Sequence, residues 1–95
     1  MNRSLFKLKE YGVFTFISTS QALKAERVLK KAGTEFLMMP TPREISTSCG
    51  LAVKVTSEGL GESAEILRQN RVQVDGAYRV SELQGKTRAE RVIDG

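Results

Sequence analysis

The stretch Tyr11-Gly12-Val13-Phe14-Thr15-Phe16-Ile17-Ser18 decides the fold of this chain. It is rich in aromatic and β-branched residues and is too short and too apolar for a surface helix, so it predicts a central strand. Ser18 followed three positions later by Gln21 matches a capping box. Apolar residues then recur at helical spacing, at Ala22, Ala25, Val28, Leu29 and Ala32. The sequence therefore predicts a strand followed by a helix that begins at about Thr19 and ends before Gly33.

The remaining elements are shorter and are separated by turn-forming residues. Residues 35–39 predict a second strand, which Pro40 ends because proline cannot donate a hydrogen bond to a sheet. Residues 51–56 alternate between apolar and polar side chains and predict a third strand. A short second helix that ends near Asn70 and a fourth strand within residues 72–80 follow.

The order of these elements is typical of one fold class. Strand, helix, strand, strand, helix and strand make the split βαβ pattern, so we predict an α+β protein, a ferredoxin-like βαββαβ two-layer sandwich with an antiparallel sheet. We expect residues 1–10 to form an N-terminal arm, residues 11–80 the folded domain, and residues 81–95 a polar tail that is mobile or forms a short helix. The first and second strands should run in the same direction, which places the loop 40–50 and the start of the first helix at the same end of the sheet.

The composition limits the possible classes of function. The chain has one cysteine and no histidine among its 95 residues, so it cannot form a Cys-His or Ser-His nucleophile pair by itself. The same composition disfavours a structural zinc site, and no metal-binding or phosphate-binding motif is present. We therefore expect no metal and no cofactor, and a carrier or binding protein rather than an enzyme.

The net charge of +4 is modest and is spread along the chain, whereas nucleic-acid-binding domains usually concentrate it. Lys24, Arg27 and Lys31 share one face of the first predicted helix, which is either a solvated face or a contact for phosphates or an acidic partner. Few aromatic residues are available for base stacking, so we expect no nucleic-acid partner. No segment has the length and apolar character of a signal peptide or a membrane span, and we expect a cytoplasmic protein without membrane contact.

Cys49 is the candidate functional residue. Its neighbours Thr47, Ser48 and Gly50 are small or polar, and Arg43 places a positive charge nearby, which predicts an exposed and reactive thiol. The alternative is a core position, because free cysteines are among the most buried residues in proteins.

The predicted topology adds a second group of residues to this site. It brings Cys49 close to Ser18, Thr19 and Ser20 at the start of the first helix. Free backbone N–H groups and the positive end of the helix dipole favour an anion there, and a thiolate or persulfide is an anion. The candidate binding residues around the thiol are therefore Arg43, Ser18, Thr19, Ser20, Ser48 and Gly50.

Three blocks of sequence resemble a known family. They are residues 11–30, the run Pro42-Arg43-Glu44-Ile45-Ser46, and the run Ser48-Cys49-Gly50-Leu51-Ala52. Together they resemble the putative Se/S carrier protein-like domain, a small bacterial family, over about residues 11–80. The resemblance implies a carrier of sulfur or selenium at Cys49. The positions that match the family's motif are Pro42, Arg43, Glu44, Ile45, Ser46, Cys49 and Gly50. The CPxP motif of better-known small sulfur-transfer proteins is absent.

Two functions from different classes follow. In the first, Cys49 accepts a sulfur or selenium atom from a donor protein such as a cysteine desulfurase and passes it to an acceptor protein by thiol exchange, while Arg43 stabilises the anion. In the second, the chain is a non-catalytic interaction or regulatory module, and Cys49 is structural. Both functions also allow a homodimer that forms through an exposed sheet edge.

Overall fold

The computed structural model describes residues 9–47 and 49–92 and contains two helices and five strands in that part of the chain. In chain order they are β1 Glu10–Phe16, α1 Thr19–Lys31, β2 Leu37–Pro40, β3 Leu51–Thr56, α2 Leu60–Gln69, β4 Val74–Leu83 and β5 Lys86–Val92. The predicted α+β class and the predicted order of the first six elements are confirmed. The fifth strand is an addition that the sequence analysis missed.

The strands form one sheet in the order β2-β3-β1-β4-β5, and each neighbouring pair is antiparallel. Because β3 is antiparallel to both β1 and β2, the first two strands run in the same direction, as predicted. Thr15 at the end of β1 pairs with Ala52 at the start of β3. The loop that leads into β3 and the start of α1, which follows β1, therefore lie at the same end of the sheet.

The prediction that the tail is mobile or helical is wrong for residues 81–92. β4 continues to Leu83, and a two-residue turn leads into β5, which pairs along its whole length with β4. Gln84 and Gly85 in the turn have φ angles of 53° and 78°. A turn with two positive φ angles matches the right-handed twist of the strands that it joins, and so it holds the hairpin together. Of the predicted N-terminal arm, Glu10 begins β1, and residues 1–8 lie outside the described part.

Apolar side chains cover both faces of the sheet. On one face the strands pack against the two helices in a cluster that includes Phe14, Phe16, Ala22, Ala25, Leu29, Val53, Val55 and Leu67. Successive residues of a strand point to opposite faces, so Tyr11 and Val13 lie on the other face. There they form a second cluster with Ile45, Ala52, Tyr78 and Val80. We call these the helix face and the open face of the sheet.

Local signals explain where α1 begins and ends. Ser18 has an extended backbone, and its side chain accepts a hydrogen bond from the N–H of Gln21 at 3.3 Å, as an N-cap does. Lys30 and Lys31 stand in the last turn, and Gly33 follows with a φ of 75°. In the described part of the chain, neither helix is long and apolar enough to span a membrane.

Candidate functional site

Residues 41–50, which we call the cysteine loop, connect β2 to β3 and are closed at their base. The N–H of Thr41 donates to the carbonyl of Gly50 at 3.0 Å, and the Thr41 hydroxyl donates to the carbonyl of Cys49 at 2.9 Å. Within the loop, the N–H of Ile45 donates to the carbonyl of Pro42 at 3.0 Å and closes a turn. The segment is therefore a compact loop with its two ends side by side.

The cysteine loop is anchored on both faces of the sheet. Ile45 is 5% exposed and packs in the open-face cluster, whereas Cys49, also 5% exposed, packs in the helix-face cluster. Only three residues separate these two anchors. A movement of the loop that exposes one anchor will therefore strain the contacts of the other.

The Cys49 thiol is buried, and the expectation of an exposed thiol is wrong for this conformation. Its sulfur donates a hydrogen bond to the carbonyl of Leu51 at 3.3 Å, and its N–H donates to the Thr47 hydroxyl at 3.3 Å. The physical reason is the alternation of β3. Leu51 and Val53 point to the helix face, and Cys49 precedes Leu51 by two positions, so it continues the same side.

The other predicted site residues divide into two groups. Arg43, Ser18, Thr19, Ser20 and Gly50 are exposed, and Ser48 lies outside the described residues. The Ser18 hydroxyl is occupied by its capping bond, and the described residues show no hydrogen bond or ion pair that joins Arg43 to Cys49. The topology places the start of α1 at the end of the sheet where the cysteine loop lies, and Cys49 shares a core cluster with Phe16 and Ala22.

One hydrogen bond joins the cysteine loop to β4, and a residue of β5 contacts the same β4 residue. The Thr47 hydroxyl donates to the carboxylate of Asp75 in β4 at 3.4 Å. The carbonyl of the same Asp75 accepts a hydrogen bond from the Arg91 guanidinium in β5 at 3.0 Å, and that guanidinium lies 5.9 Å from the centre of the Tyr78 ring. Sequence reasoning missed Arg91 because it had no strand to place it on.

A polar cluster lies on the open face. The Tyr11 hydroxyl donates to the Glu82 carboxylate at 3.1 Å, and the Lys54 ammonium lies 4.0 Å from the centre of the Tyr11 ring. Burial raises the pKa of Tyr11 to about 12, and the negative charges of Glu82 and Glu44 add to that shift. Burial lowers the pKa of Lys54, and Glu82 opposes this effect. This polar cluster lies on the open face with Tyr11, whereas Cys49 packs in the helix-face cluster.

Within residues 9–47 and 49–92, no group of three or more His, Cys, Asp or Glu side chains could hold a metal ion. The chemistry of the cysteine loop is therefore that of a single thiol with hydroxyl, carbonyl and backbone N–H neighbours. Such a site can form and exchange bonds to sulfur or selenium without a metal.

Comparison with known proteins identifies a matching family. The sequence model of a family described as "Putative Se/S carrier protein-like" matches residues 11–79. That span runs from β1 into β4, includes the whole cysteine loop and stops before β5. No curated protein matches the chain, and no solved structure matches it.

Proposed function

We propose that this chain, which belongs to the Putative Se/S carrier protein-like family, carries a sulfur or selenium atom on the thiol of Cys49. The observation that carries the proposal is the family match, which spans the cysteine loop. A chalcogen carrier needs a nucleophilic atom on which to hold its cargo, and Cys49 is the one cysteine of the sequence. The donor would be a protein persulfide such as that of a cysteine desulfurase, and the acceptor a second protein.

The proposed loading step is a thiol exchange. The Cys49 thiolate attacks the outer sulfur of the donor persulfide, and a new bond forms between the Cys49 sulfur and that outer sulfur. The bond between the two donor sulfurs breaks, and the donor leaves as a thiolate. A donor that carries an outer selenium atom reacts in the same way. Unloading repeats the exchange with the acceptor as nucleophile and Cys49 as the leaving thiolate, so neither step needs a metal or an added oxidant.

Burial of the thiol adds a requirement to this mechanism. The cysteine loop has to open before a donor can reach Cys49, and opening breaks the hydrogen bond from the thiol to Leu51 and the bonds of Thr41 at the base of the loop. Local opening of a surface loop needs less free energy than global unfolding. Once the loop opens, the loaded anion would be received by Arg43, the exposed residues Ser18, Thr19 and Ser20, and the loop residues Ser48 and Gly50.

We assign the scaffold to the ferredoxin-like arrangement, extended at one edge. The supporting observation is that β2, β3, β1 and β4 are neighbours in that order and that two helices cover one face. In this arrangement β5 is an additional edge strand. We also place the carrier in the cytoplasm, because a reducing compartment keeps a single thiol free for exchange.

Mass spectrometry after incubation with a cysteine desulfurase and cysteine tests the carrier function. The wild-type protein should gain the mass of one sulfur atom, and a thiol reductant should remove it. Cys49→Ser removes the nucleophile and should never gain that mass. Cys49→Ala is a second control, because an alanine leaves no unpaired hydroxyl in the core if the serine variant is poorly folded. A wild-type protein that stays unloaded, in a reaction that loads a known sulfur acceptor, would contradict the proposal.

The burial of Cys49 favours a second candidate function, an interaction or regulatory module with a structural cysteine. Cys49 is 5% exposed, and its thiol donates a hydrogen bond to the carbonyl of Leu51, as a core cysteine would. The two candidates differ in the reactivity of the native protein. A carrier thiol reacts with an alkylating reagent under native conditions, whereas a structural thiol reacts only at the rate of global unfolding.

A further inference from the structure

Helix α1 has a buried face and a solvent face. Ala22, Ala25 and Leu29 on the first face pack into the helix-face cluster. Five of the six exposed residues of the helix lie along the other face and its end, at Ser20, Leu23, Arg27, Lys30 and Lys31. Exposed Ile17 immediately precedes the capping serine. We call these six residues the α1 stripe. At 1.5 Å of rise per residue, the helix that bears it is about 20 Å long.

The end of the α1 stripe nearest the cysteine loop carries two exposed apolar side chains. Ile17 is 52% exposed and Leu23 is 43% exposed. Among the described residues only one other large apolar side chain is exposed, Leu83, and it lies at the opposite end of the sheet. Two of these three side chains thus stand beside the end of the sheet where the cysteine loop lies. Apolar contact at the centre of an interface, with charged residues around it, is the usual arrangement between proteins.

The rest of the α1 stripe is positively charged. Arg27, Lys30 and Lys31 are exposed, and the described part of the chain shows no ion pair for any of the three. The ammonium of Lys24 in α1 donates to the carbonyl of Arg71 at 3.2 Å. This hydrogen bond places Arg71, a further cationic residue, beside the helix. Glu26, the one acidic residue of α1, is half-buried. The surface therefore complements an acidic partner.

We propose that the α1 stripe is the docking surface for the protein that donates sulfur or selenium to Cys49, and that the donor meets it with an acidic patch around an apolar contact. The proposal rests on the proposed carrier function. Docking there brings the donor to the end of the sheet where the cysteine loop opens. A protein fits this surface better than RNA, because Tyr11, Phe14, Phe16 and Tyr78 are buried and Phe36 is half-buried, which leaves the described residues without an exposed stacking platform.

Two donors separate docking from chemistry in one experiment. A cysteine desulfurase with cysteine has to dock, whereas glutathione persulfide reaches the thiol without a protein surface. Leu23→Glu and Arg27→Glu should each slow loading from the desulfurase by about tenfold or more, since like charges now face the acidic partner. Both variants should load from glutathione persulfide at the wild-type rate. Leu83→Glu and Arg88→Glu, which change exposed residues away from the stripe, are the matched controls and should load normally from both donors.

The outcomes distinguish the two proposals. Stripe variants that load from the desulfurase as fast as wild type would overturn the docking surface and leave the carrier function intact. Wild type that loads from glutathione persulfide but not from the desulfurase would also support the carrier and overturn docking of this donor. Wild type that loads from neither would overturn the carrier function itself. Binding of single-stranded RNA that Arg27→Glu abolishes, with normal loading from the desulfurase, would assign the stripe to RNA instead.

Discussion

The ammonium of Lys54 lies 4.0 Å from the centre of the Tyr11 ring, on the sheet face opposite the two helices. The hydroxyl of the same ring donates to Glu82, so a cation, an aromatic ring and a carboxylate stand in a row across β3, β1 and β4. A cation over an aromatic face is stabilising, and more so where water is partly excluded. The open face is therefore held by polar as well as apolar contacts.

Tyr11 makes the stability of the fold sensitive to alkaline pH. Burial, with Glu82, raises the pKa of Tyr11 from 10.0 to about 12. The unfolded chain thus loses this proton at lower pH than the folded chain, and the free energy of unfolding should fall as the pH rises from about 10 to about 12. Lys54 changes the free energy of unfolding in the opposite direction. Folding lowers the pKa of Lys54 below its ordinary value of 10.5, so the folded chain loses this proton first and gains stability as the pH rises.

The Tyr11→Phe variant tests this effect, measured by urea unfolding from neutral pH to about pH 12. It should lose some stability at neutral pH, because the hydrogen bond to Glu82 is gone, and its stability should fall less steeply at alkaline pH. Tyr78→Phe is the matched control, since Tyr78 is the other tyrosine of the sequence. If the free energy of unfolding falls equally steeply at alkaline pH in Tyr11→Phe and in wild type, Tyr11 does not cause the alkaline loss of stability.

Ile45→Ala should make Cys49 more reactive. Removing a buried isoleucine side chain costs about 2–5 kcal/mol, and here the loss falls on the open-face anchor of the cysteine loop. We expect native-state alkylation of Cys49 to become at least several-fold faster, measured as the rate of mass gain with an excess of a thiol reagent. Leu83→Ala, at a side chain that is 71% exposed, is the control and should leave the rate unchanged.

The alkylation rate of Ile45→Ala also has to be compared with the rate that its own global unfolding free energy allows. If the two rates agree, the cysteine loop does not open independently. A faster alkylation means that the loop opens while β1, β3 and the helices stay folded.

Ser63→Ala should stabilise the protein. Ser63 is fully buried in α2, and its hydroxyl has no hydrogen-bond partner in the described structure. A buried hydroxyl without a partner costs about 1–3 kcal/mol, and alanine is also the better helix former. The measurement is the urea midpoint of unfolding, with Ser20→Ala at an exposed position of α1 as the control. A destabilised Ser63→Ala protein would show that the hydroxyl makes a favourable contact.

Gly85→Ala should destabilise the β4–β5 hairpin. Gly85 has a φ of 78°, a left-handed conformation that costs a residue with a side chain about 1–2 kcal/mol. Thermal or urea unfolding would report the loss. Gly61→Ala is the control with the opposite sign, because an alanine in α2 meets no neighbouring atom and should stabilise the helix by about 0.5–1 kcal/mol. Unchanged stability in Gly85→Ala would mean that the turn can adopt another conformation.

The sequence predicted β1 and α1 well because independent signals agreed there. Apolar residues in β1, the Ser18 cap and the apolar spacing of α1 all pointed to the same elements, and α1 begins at Thr19 as expected. β5 was missed because its exposed charged residues hide the alternation, and because Gln84-Gly85 is a weaker turn signal than Asn-Gly or Asp-Gly.

The candidate site was predicted less well. Polar neighbours of Cys49 suggested exposure, but the direction of its side chain follows from its place two residues before Leu51 in the alternation of β3. That signal was present in the sequence. The burial of Ile45 on the open face had no local signal, because it depends on the path of the cysteine loop across the end of the sheet.

The β4–β5 hairpin also determines which strand lies at the edge of the sheet. Without β5, the free edge would be β4, a ten-residue strand with buried side chains such as Ala77 and Val80. With it, the edge is a strand whose exposed residues include Lys86, Arg88 and Glu90, and the opposite edge β2 is only four residues long and finishes at Pro40. Charged, short and proline-terminated edges are poor templates for further strands. Because β5, which was predicted to lie in a polar tail, covers β4, the folded chain offers a poor template for amyloid-like polymerisation at this edge.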